Sequence, residues 1–270
     1  MRCARFLSAA LISIVFCSAD PLSIPARAET DTPPGSAAPD WVFSGLFGRY
    51  DDAGLRRGFL VYMDACSTCH SLRHVAYRDL QALGVGFGPE DIKSIAAQFK
   101  VVDGPDDNGK MFKRSGRPSD RFVPPYPNVE AAKAANKGML PTDLSLITKA
   151  RPGGPDFLYH LLTGYEDAPA NFDLAPGMHY NVAVSGHQTG MMSPLYDDLV
   201  LYDDGTDATV EQMSKDVTQF LAWAADPHMD QRKRLGLKVV IFLTLLTIMM
   251  IALKREVWAH LHQEPGSATK

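Results

Sequence analysis

Cys66-Ser67-Thr68-Cys69-His70 is the most specific motif in this chain. In the pattern Cys-x-x-Cys-His, two thiols take thioether bonds from a porphyrin and the adjacent histidine ligates the iron. The two cysteines lie about one helical turn apart, so they can reach both vinyl positions and leave His70 under the iron. The sequence therefore predicts one covalently bound haem c, held by Cys66, Cys69 and His70.

Two other uses of paired cysteines compete with this interpretation. A structural zinc site usually has four ligands, often as a second Cys or His pair at similar spacing, and the sequence has no such second pair. A thioredoxin-like redox pair belongs to a βαβ setting, which the sequence does not indicate. Haem attachment is therefore favoured over zinc binding and over dithiol chemistry.

Residues 1–28 have the pattern of an export signal. A positively charged start is followed by an apolar run from Phe6 to Phe16, and Ala26-Arg27-Ala28 is a small-residue cleavage site. Removal of this segment would leave Cys66 and Cys69 as the only cysteines of the mature chain. Because haem would use both thiols, we expect no disulfide.

A second apolar run covers residues 235–253, close to the length of about 20 residues that crosses a bilayer as a helix. A buried core helix of this length would rarely be apolar on every face, so the run predicts a transmembrane anchor. Basic residues flank both of its ends, which leaves the orientation open by charge alone. The export signal decides it: residues 29–231 would lie outside, and residues 254–270 would form a cytoplasmic tail.

The exported region is strongly acidic. Residues 29–231 carry 28 acidic and 17 basic side chains, a formal charge of −11, although the whole chain has only −4. Such a field argues against nucleic acid as a partner and would attract a basic protein. The acids cluster in three groups: Asp103, Asp106 and Asp107; Glu166, Asp167 and Asp173; and Asp197, Asp198, Asp203, Asp204 and Asp207.

Capping signals and hydrophobic periodicity predict a mainly α-helical domain with long loops. We expect helices that begin at Asp51 or Asp52, after Thr142, at Pro155 and after Thr209, and an extended loop from Gly104 to Pro127.

The sixth ligand of the iron would decide between electron transfer and chemistry at an open position. Met191 is the leading candidate because it lies in a Gly- and Pro-containing loop, Gly190-Met191-Met192-Ser193-Pro194, far downstream of His70. His179 and His187 are rival ligands.

Several motifs, taken in their order, carry a family resemblance. They are Arg56-Arg57-Gly58-Phe59, Cys66 to His70, Tyr126-Pro127-Asn128 with Glu130-Ala131-Ala132, Asp143-Leu144-Ser145, Arg151 with Gly153-Gly154, Tyr202-Asp203-Asp204-Gly205-Thr206, and Trp223-Ala224-Ala225. From about Trp41 to Trp258 the chain resembles the cytochrome c1 family, the haem subunits of quinol–cytochrome c reductase (cytochrome bc1) complexes.

The resemblance implies a class I cytochrome c-like fold, anchored by one helix in a dimeric complex. It implies cytochrome b and Rieske iron–sulfur subunits as partners, with electrons passing from the Rieske protein through this haem to a soluble or anchored basic cytochrome c. The chain would then be an electron-transfer subunit and no enzyme by itself. The short bacterial type of signal places the anchor in a bacterial inner membrane and the haem domain in the periplasm.

The resemblance also implies roles for single residues. Cys66 and Cys69 would bind the haem covalently, with His70 as proximal and Met191 as distal ligand of the iron. Arg151 matches an arginine near a haem propionate, and Tyr126 matches an aromatic position that lines the haem pocket. Relatives often follow the methionine with two prolines, whereas this chain has Met192-Ser193-Pro194. The doubled methionine leaves the register ambiguous, and the spacing to Pro194 favours Met191.

Two alternatives of another kind remain open at this level. One is an anchored c-type electron carrier or oxidase subunit outside a quinol-oxidising complex. The other is a haem enzyme or gas sensor with an exchangeable iron ligand, although a single Cys-x-x-Cys-His argues against a dihaem peroxidase.

Overall fold

The computed structural model of the protein describes residues 37–83 and 87–259. The predicted export signal, residues 1–28, lies outside these residues, and so does the part of the predicted tail beyond Ala259. In chain order the elements are α1 (Asp52–Val61), a π-helical turn (Tyr62–Cys66), a 3₁₀ helix (Tyr77–Leu83), α2 (Pro89–Ala97), β1 (Lys100–Asp103), β2 (Phe112–Ser115), α3 (Val129–Ala135), α4 (Ile147–Ala150), α5 (Gly154–Thr163), β3 (His179–Tyr180), β4 (Gln188–Thr189), α6 (Val210–Ala225) and α7 (Met229–Ala259). The prediction of a mainly helical domain with one long apolar C-terminal helix is confirmed.

Helix α1 leads directly into the cysteine motif and is held against α6. Asp51 caps it by accepting a hydrogen bond from the backbone N–H of Gly54 at 2.9 Å, as the sequence predicted. A Cβ at Gly58 would lie 2.1 Å from the carbonyl oxygen of Asp216, so only glycine permits this close crossing of the two helices. The crossing fixes where the cysteines leave α1.

The core between these helices is aromatic. Phe59, Phe220 and Trp223 are fully or almost fully buried, and Phe59 meets Phe220 edge to face with ring centroids 5.8 Å apart. Tyr77 stacks on Phe122 with ring centroids 4.5 Å apart, and Phe122 in turn lies 6.4 Å from Phe59. Large aromatic side chains bury much apolar surface and pack in preferred orientations, so this core stabilises the position of α1.

Two local predictions were wrong. The helix expected to follow Thr142 begins only at Ile147, because the polar groups of Asp143 and Ser145 bind another segment, described below, instead of capping a helix. The region Gly104 to Pro127 is not wholly a loop, since β2 pairs antiparallel with β1 in the register Lys100 to Ser115. The helices at Asp52, Gly154 and Val210 are confirmed within one residue.

Helix α7 contains the whole predicted anchor, residues 235–253, and begins six residues earlier. Among the described residues it is the one helix long and apolar enough to cross a membrane, and its apolar length is exposed. The hydroxyl groups of Thr244 and Thr247 donate to the carbonyl groups of Val240 and Leu243, which satisfies these polar groups inside the helix.

Candidate functional site

The cysteine motif begins where α1 widens into a π-helical turn. The N–H of Ser67 donates to the carbonyl of Tyr62 at 2.8 Å, five residues back, and the carbonyl of Cys66 then accepts from both Cys69 and His70. Such π-bulges are rare in proteins, and those that do occur are often found at functional sites. Here the turn presents Cys66, Cys69 and His70 together at the end of a rigid helix.

Both cysteines are half-buried and neither forms a disulfide. Burial raises the pKa of the Cys66 thiol to about 12, and the neighbouring Cys69 raises it further in the same direction. The thiol of Cys66 is therefore protonated at neutral pH. Tyr126 lies beside the pair, with its hydroxyl oxygen 4.0 Å from Sγ of Cys69.

His70 is oriented by a backbone carbonyl. Its Nδ1 lies 2.7 Å from the carbonyl oxygen of Thr142, and because a carbonyl only accepts, Nδ1 carries the proton and donates. The second nitrogen, Nε2, is then the unprotonated atom that can bind a metal. Burial lowers the pKa of His70, and the carbonyl of Thr142 and the carboxylate of Asp143 oppose that shift only in part.

The segment that carries Thr142 is fastened to the residues that follow His70. Asp143 accepts from the Ser71 hydroxyl at 2.7 Å and from the Arg73 backbone at 3.1 Å, while the Ser145 hydroxyl accepts from the N–H of His74 at 3.0 Å. Burial alone would raise the pKa of Asp143, but the hydrogen bonds that it accepts from Ser145, Ser71 and Arg73 lower it to about 2. The motif Asp143-Leu144-Ser145 therefore serves to hold the carbonyl that orients His70.

A short hairpin, β3 with β4, delivers the methionine loop. His179 pairs with Thr189 across this hairpin, and the hydroxyl of Thr189 accepts a hydrogen bond from the backbone N–H of Met191. Tyr165 donates its hydroxyl to the carbonyl of Met191 at 3.0 Å. The rival ligand His187 lies against the rings of Tyr180 and Phe172 at the end of the hairpin.

The two methionines of the loop differ in their surroundings. Met191 is half-buried and packs against the main core, whereas Met192 is 63% exposed. A loose, exposed side chain is a poor ligand because it must lose its conformational freedom on binding. The difference favours the register in which Met191 faces the interior.

One segment contacts both the histidine and the methionine loop. Thr142 binds His70, and three residues earlier the sulfur of Met139 lies where a Cβ on Gly190 would be, at 1.7 Å. Three residues span at most about 10 Å. His70 and the Gly190–Met191 backbone therefore approach the two ends of one short segment. Met139 was missed from the sequence, where nothing distinguishes it among 11 methionines.

Arg151 lies at the end of α4, on the rim of an open cavity of about 340 Å³. The same cavity is lined by Thr142 and by His74, so Arg151 is near the segment that orients His70. The structure thus brings Cys66, Cys69, His70, Tyr126 and the surroundings of Arg151 together, with the methionine loop reaching this region through Met139.

The acidic motif Tyr202 to Thr206 binds the arginines of α1. Arg56 pairs with Asp203, and Arg57 pairs with Asp204 at 2.6 Å and with the almost fully buried Asp216 at 2.8 Å. Burial raises the pKa of Asp216, although the hydrogen bonds from Arg57 and Gln212 oppose this. Two stretches singled out in the sequence are therefore partners that fasten α1 to the rest of the domain.

These residues fit a covalently held haem. Two thiols without a disulfide partner, a neutral histidine with Nε2 free, and a half-buried thioether form the donor set that a c-type haem requires. Residues 37–83 and 87–259 contain no group of three or more His, Cys, Asp or Glu side chains that could hold a metal ion.

Residues 41–261 match the protein family described as "Cytochrome C1 family". Cytochrome c1 of Rhodospirillum rubrum is 48% identical over 235 residues, which cover 81% of this chain and 86% of that protein. The mitochondrial cytochrome c1 heme protein of Saccharomyces cerevisiae is 48% identical over 240 residues, 88% of this chain and 77% of that protein. Cytochrome b/c1 of Bradyrhizobium diazoefficiens is 43% identical over 253 residues, 86% of this chain but only 36% of that longer protein. The chain belongs to the cytochrome c1 family.

Proposed function

We propose that this chain is the membrane-anchored c-type cytochrome that takes electrons from a Rieske iron–sulfur protein and passes them to a soluble or anchored cytochrome c in a quinol–cytochrome c reductase complex. When bound, the haem supplies a one-electron carrier. The observation that carries the proposal is the pairing of a neutral, carbonyl-oriented His70 with covalent attachment residues on a rigid helix.

The roles of the site residues follow from their contacts. Cys66 and Cys69 hold the group covalently, and His70 offers Nε2 to the iron while Thr142 fixes its ring. Met191 would supply its thioether sulfur as the second iron ligand, from a loop whose backbone is held by the hydroxyl of Tyr165. A haem held by His70 and Met191 would have no open position for small ligands, so we propose that the isolated chain transfers electrons and catalyses no reaction by itself.

Arg151 and Tyr126 have supporting roles in this proposal. Arg151 offers a guanidinium near the Thr142 segment, where a propionate carboxylate can be paired. Tyr126 places its hydroxyl oxygen 4.0 Å from the sulfur of Cys69 and would line the haem pocket there.

The partners are proposed from the family and from charge. A relative whose name joins cytochrome b with c1 supports a cytochrome b partner, and the family function supports a Rieske donor and a dimeric complex. Glu166 and Asp167 are exposed and directly follow Tyr165, which binds the methionine loop. This placement suits the docking of a basic cytochrome c close to the haem, because opposite charges speed encounter.

The location follows from α7 and the predicted signal. The haem domain would lie in the periplasm, α7 would cross the bacterial inner membrane once, and the C-terminus would lie in the cytoplasm. Residues 1–28, 29–231, 235–253 and 254–270 would be the signal, the haem domain, the anchor and the tail.

Purification in mild detergent through a C-terminal tag tests the complex. We expect a cytochrome b and an iron–sulfur protein to co-purify in equal amounts, and the preparation to reduce cytochrome c with quinol. Recovery of this chain with oxidase subunits, or alone, would support the alternative of an anchored electron carrier outside a quinol-oxidising complex.

A further inference from the structure

Residues 42–49 form a closed loop beside the start of α7. The N–H of Arg49 donates to the carbonyl of Val42 at 3.0 Å, and the N–H of Ser44 donates to that of Trp41 at 2.8 Å. Gly45 has a φ of +71° and open space around it, so a tight turn forms at the tip without strain. The loop is therefore a defined structure with its two ends joined.

The loop is fastened to the membrane helix itself. Phe43 is buried against Met229 in the first turn of α7 and against Ala222 at the end of α6. The ammonium of Lys233 donates to the carbonyls of Phe43 at 2.8 Å and of Gly48 at 3.0 Å. These contacts set the height of the loop relative to α7.

The tip of the loop is apolar and exposed. Val42 is 57% exposed, Leu46 72% and Phe47 74%. Single exposed apolar residues are ordinary on protein surfaces, but three within six residues form a patch that calls for a partner.

The height of this patch matches the edge of the bilayer. A helix rises 1.5 Å per residue, so Lys233 lies about 3 Å and Met229 about 9 Å before Leu235, where the apolar span begins. The loop that both residues hold is therefore at the level of the lipid headgroups. Exposed Arg49 and Arg234 lie at the same level, where they can pair with anionic lipid phosphates.

We propose that Val42, Leu46 and Phe47 insert into the lipid leaflet on the haem-domain side and form a second membrane contact beside α7. Aromatic and aliphatic side chains flanked by basic residues are typical of segments that lie in this interface. Continuity with the membrane helix favours lipid over a protein partner. The inference rests on the membrane helix and is independent of the electron route.

The test places a nitroxide label at the tip. Phe47→Cys is made in the full chain, the complex is purified and reconstituted in vesicles of phosphatidylethanolamine and phosphatidylglycerol, and collision rates are measured with oxygen, which concentrates in lipid, and with a water-soluble nickel chelate. Met111→Cys, at a residue 60% exposed on the loop between β1 and β2, is the matched control. The unsubstituted complex, treated in the same way, gives the background from other thiols.

We expect the ratio of oxygen to nickel collisions to be several-fold higher at position 47 than at position 111, with an unchanged haem spectrum in both variants. A ratio equal to that of the control would place the loop in water and overturn the proposal. A label at position 47 that is immobile and closed to both reagents would mean that another subunit covers the loop, and this result would also overturn it.

Discussion

The contact between His70 and the carbonyl of Thr142 is the most important single interaction at the candidate site. The hydrogen bond between them selects one tautomer, and the side chains of Asp143 and Ser145 hold the carbonyl in place. Outer partners of a metal-binding histidine commonly set its ring orientation and basicity. Contacts within the polypeptide thus fix the ring orientation of the proposed iron ligand.

The attachment residues give the first prediction. Denatured wild-type protein should keep haem-dependent peroxidase staining on a gel, because thioether bonds survive conditions that remove a merely ligated haem. The double variant Cys66→Ala/Cys69→Ala should lose the stain completely. Ser67→Ala, which removes only a hydrogen bond to the carbonyl of Met63, is the matched control and should stain normally. Staining of the double variant would contradict covalent attachment.

The methionine register gives the second prediction. Met191→Leu should keep the haem but open one axial position, so that the ferrous protein binds carbon monoxide and its potential falls because the thioether ligand is lost. Met192→Leu should leave the spectrum unchanged, because that side chain is 63% exposed. If Met192→Leu alone produced the carbon monoxide complex, the register would be wrong by one residue.

A residue that acts through its side chain is easier to recognise in the sequence than a residue that acts through its backbone. Cys66, Cys69 and His70 have a spacing that favours covalent haem over a zinc site or a redox pair. Thr142 had no comparable signal, because any residue could supply its carbonyl. Met139 reaches Gly190 through a contact between distant parts of the chain, which local spacing does not encode.

At the scale of elements, the crossing of α1 with α6 positions the cysteine motif. Gly58 permits the close approach, and Arg57 bridges it by binding Asp216 on α6. The glycine and the arginine were visible in the sequence as a motif, but their contacts with Asp216 on α6 were not. Helix starts were predictable at Asp51 and Thr209 because their side chains do cap helices. The same reasoning failed at Thr142, where tertiary hydrogen bonds compete for the polar groups of the segment.

The buried pair gives the third prediction. Arg57→Gln should lower the free energy of unfolding by about 3–5 kcal/mol, because it leaves the buried carboxylate of Asp216 without its charge partner. Arg56→Gln is the matched control, since the pair of Arg56 with Asp203 is solvent-exposed and should contribute less than about 1 kcal/mol. Denaturant unfolding followed by the haem absorption band measures both. Equal losses would show that Asp216 does not depend on Arg57.

Residues 29–231 have a formal charge of −11, but only some of their acidic side chains are free to attract a partner. Asp103, Asp203 and Asp204 are engaged by arginines, so part of the acidity that the sequence displays is neutralised within the fold. Glu166 and Asp167 are exposed, and the described residues give them no ion pair. Sequence counting predicts the net field but not which acids face a partner.

The fourth prediction concerns docking. Oxidation of the haem by a basic cytochrome c should slow as ionic strength rises, because the Debye length falls from about 30 Å at 0.01 M to about 8 Å at 0.15 M. Glu166→Gln/Asp167→Asn should flatten this dependence, whereas Asp106→Asn/Asp107→Asn, on the loop between β1 and β2, should not. Stopped-flow rates over a salt series decide between the two patches. Rates independent of salt would contradict electrostatic docking altogether.

Asp226 forms ion pairs with residues of two different helices. Arg232 at the start of α7 binds it at 2.7 Å, and Lys149 of α4, the helix that follows the Thr142 segment, binds it at 3.1 Å. Burial alone would raise the pKa of Asp226, but these two cations lower it, so the carboxylate stays charged and keeps both partners. One carboxylate, that of Asp226, thus joins the start of α7 to α4, the helix that follows the Thr142 segment. If haem binds as proposed, its distance from the membrane helix would be set by contacts within this chain. A change in electron-transfer distance during turnover would then have to come from movement of the partner proteins.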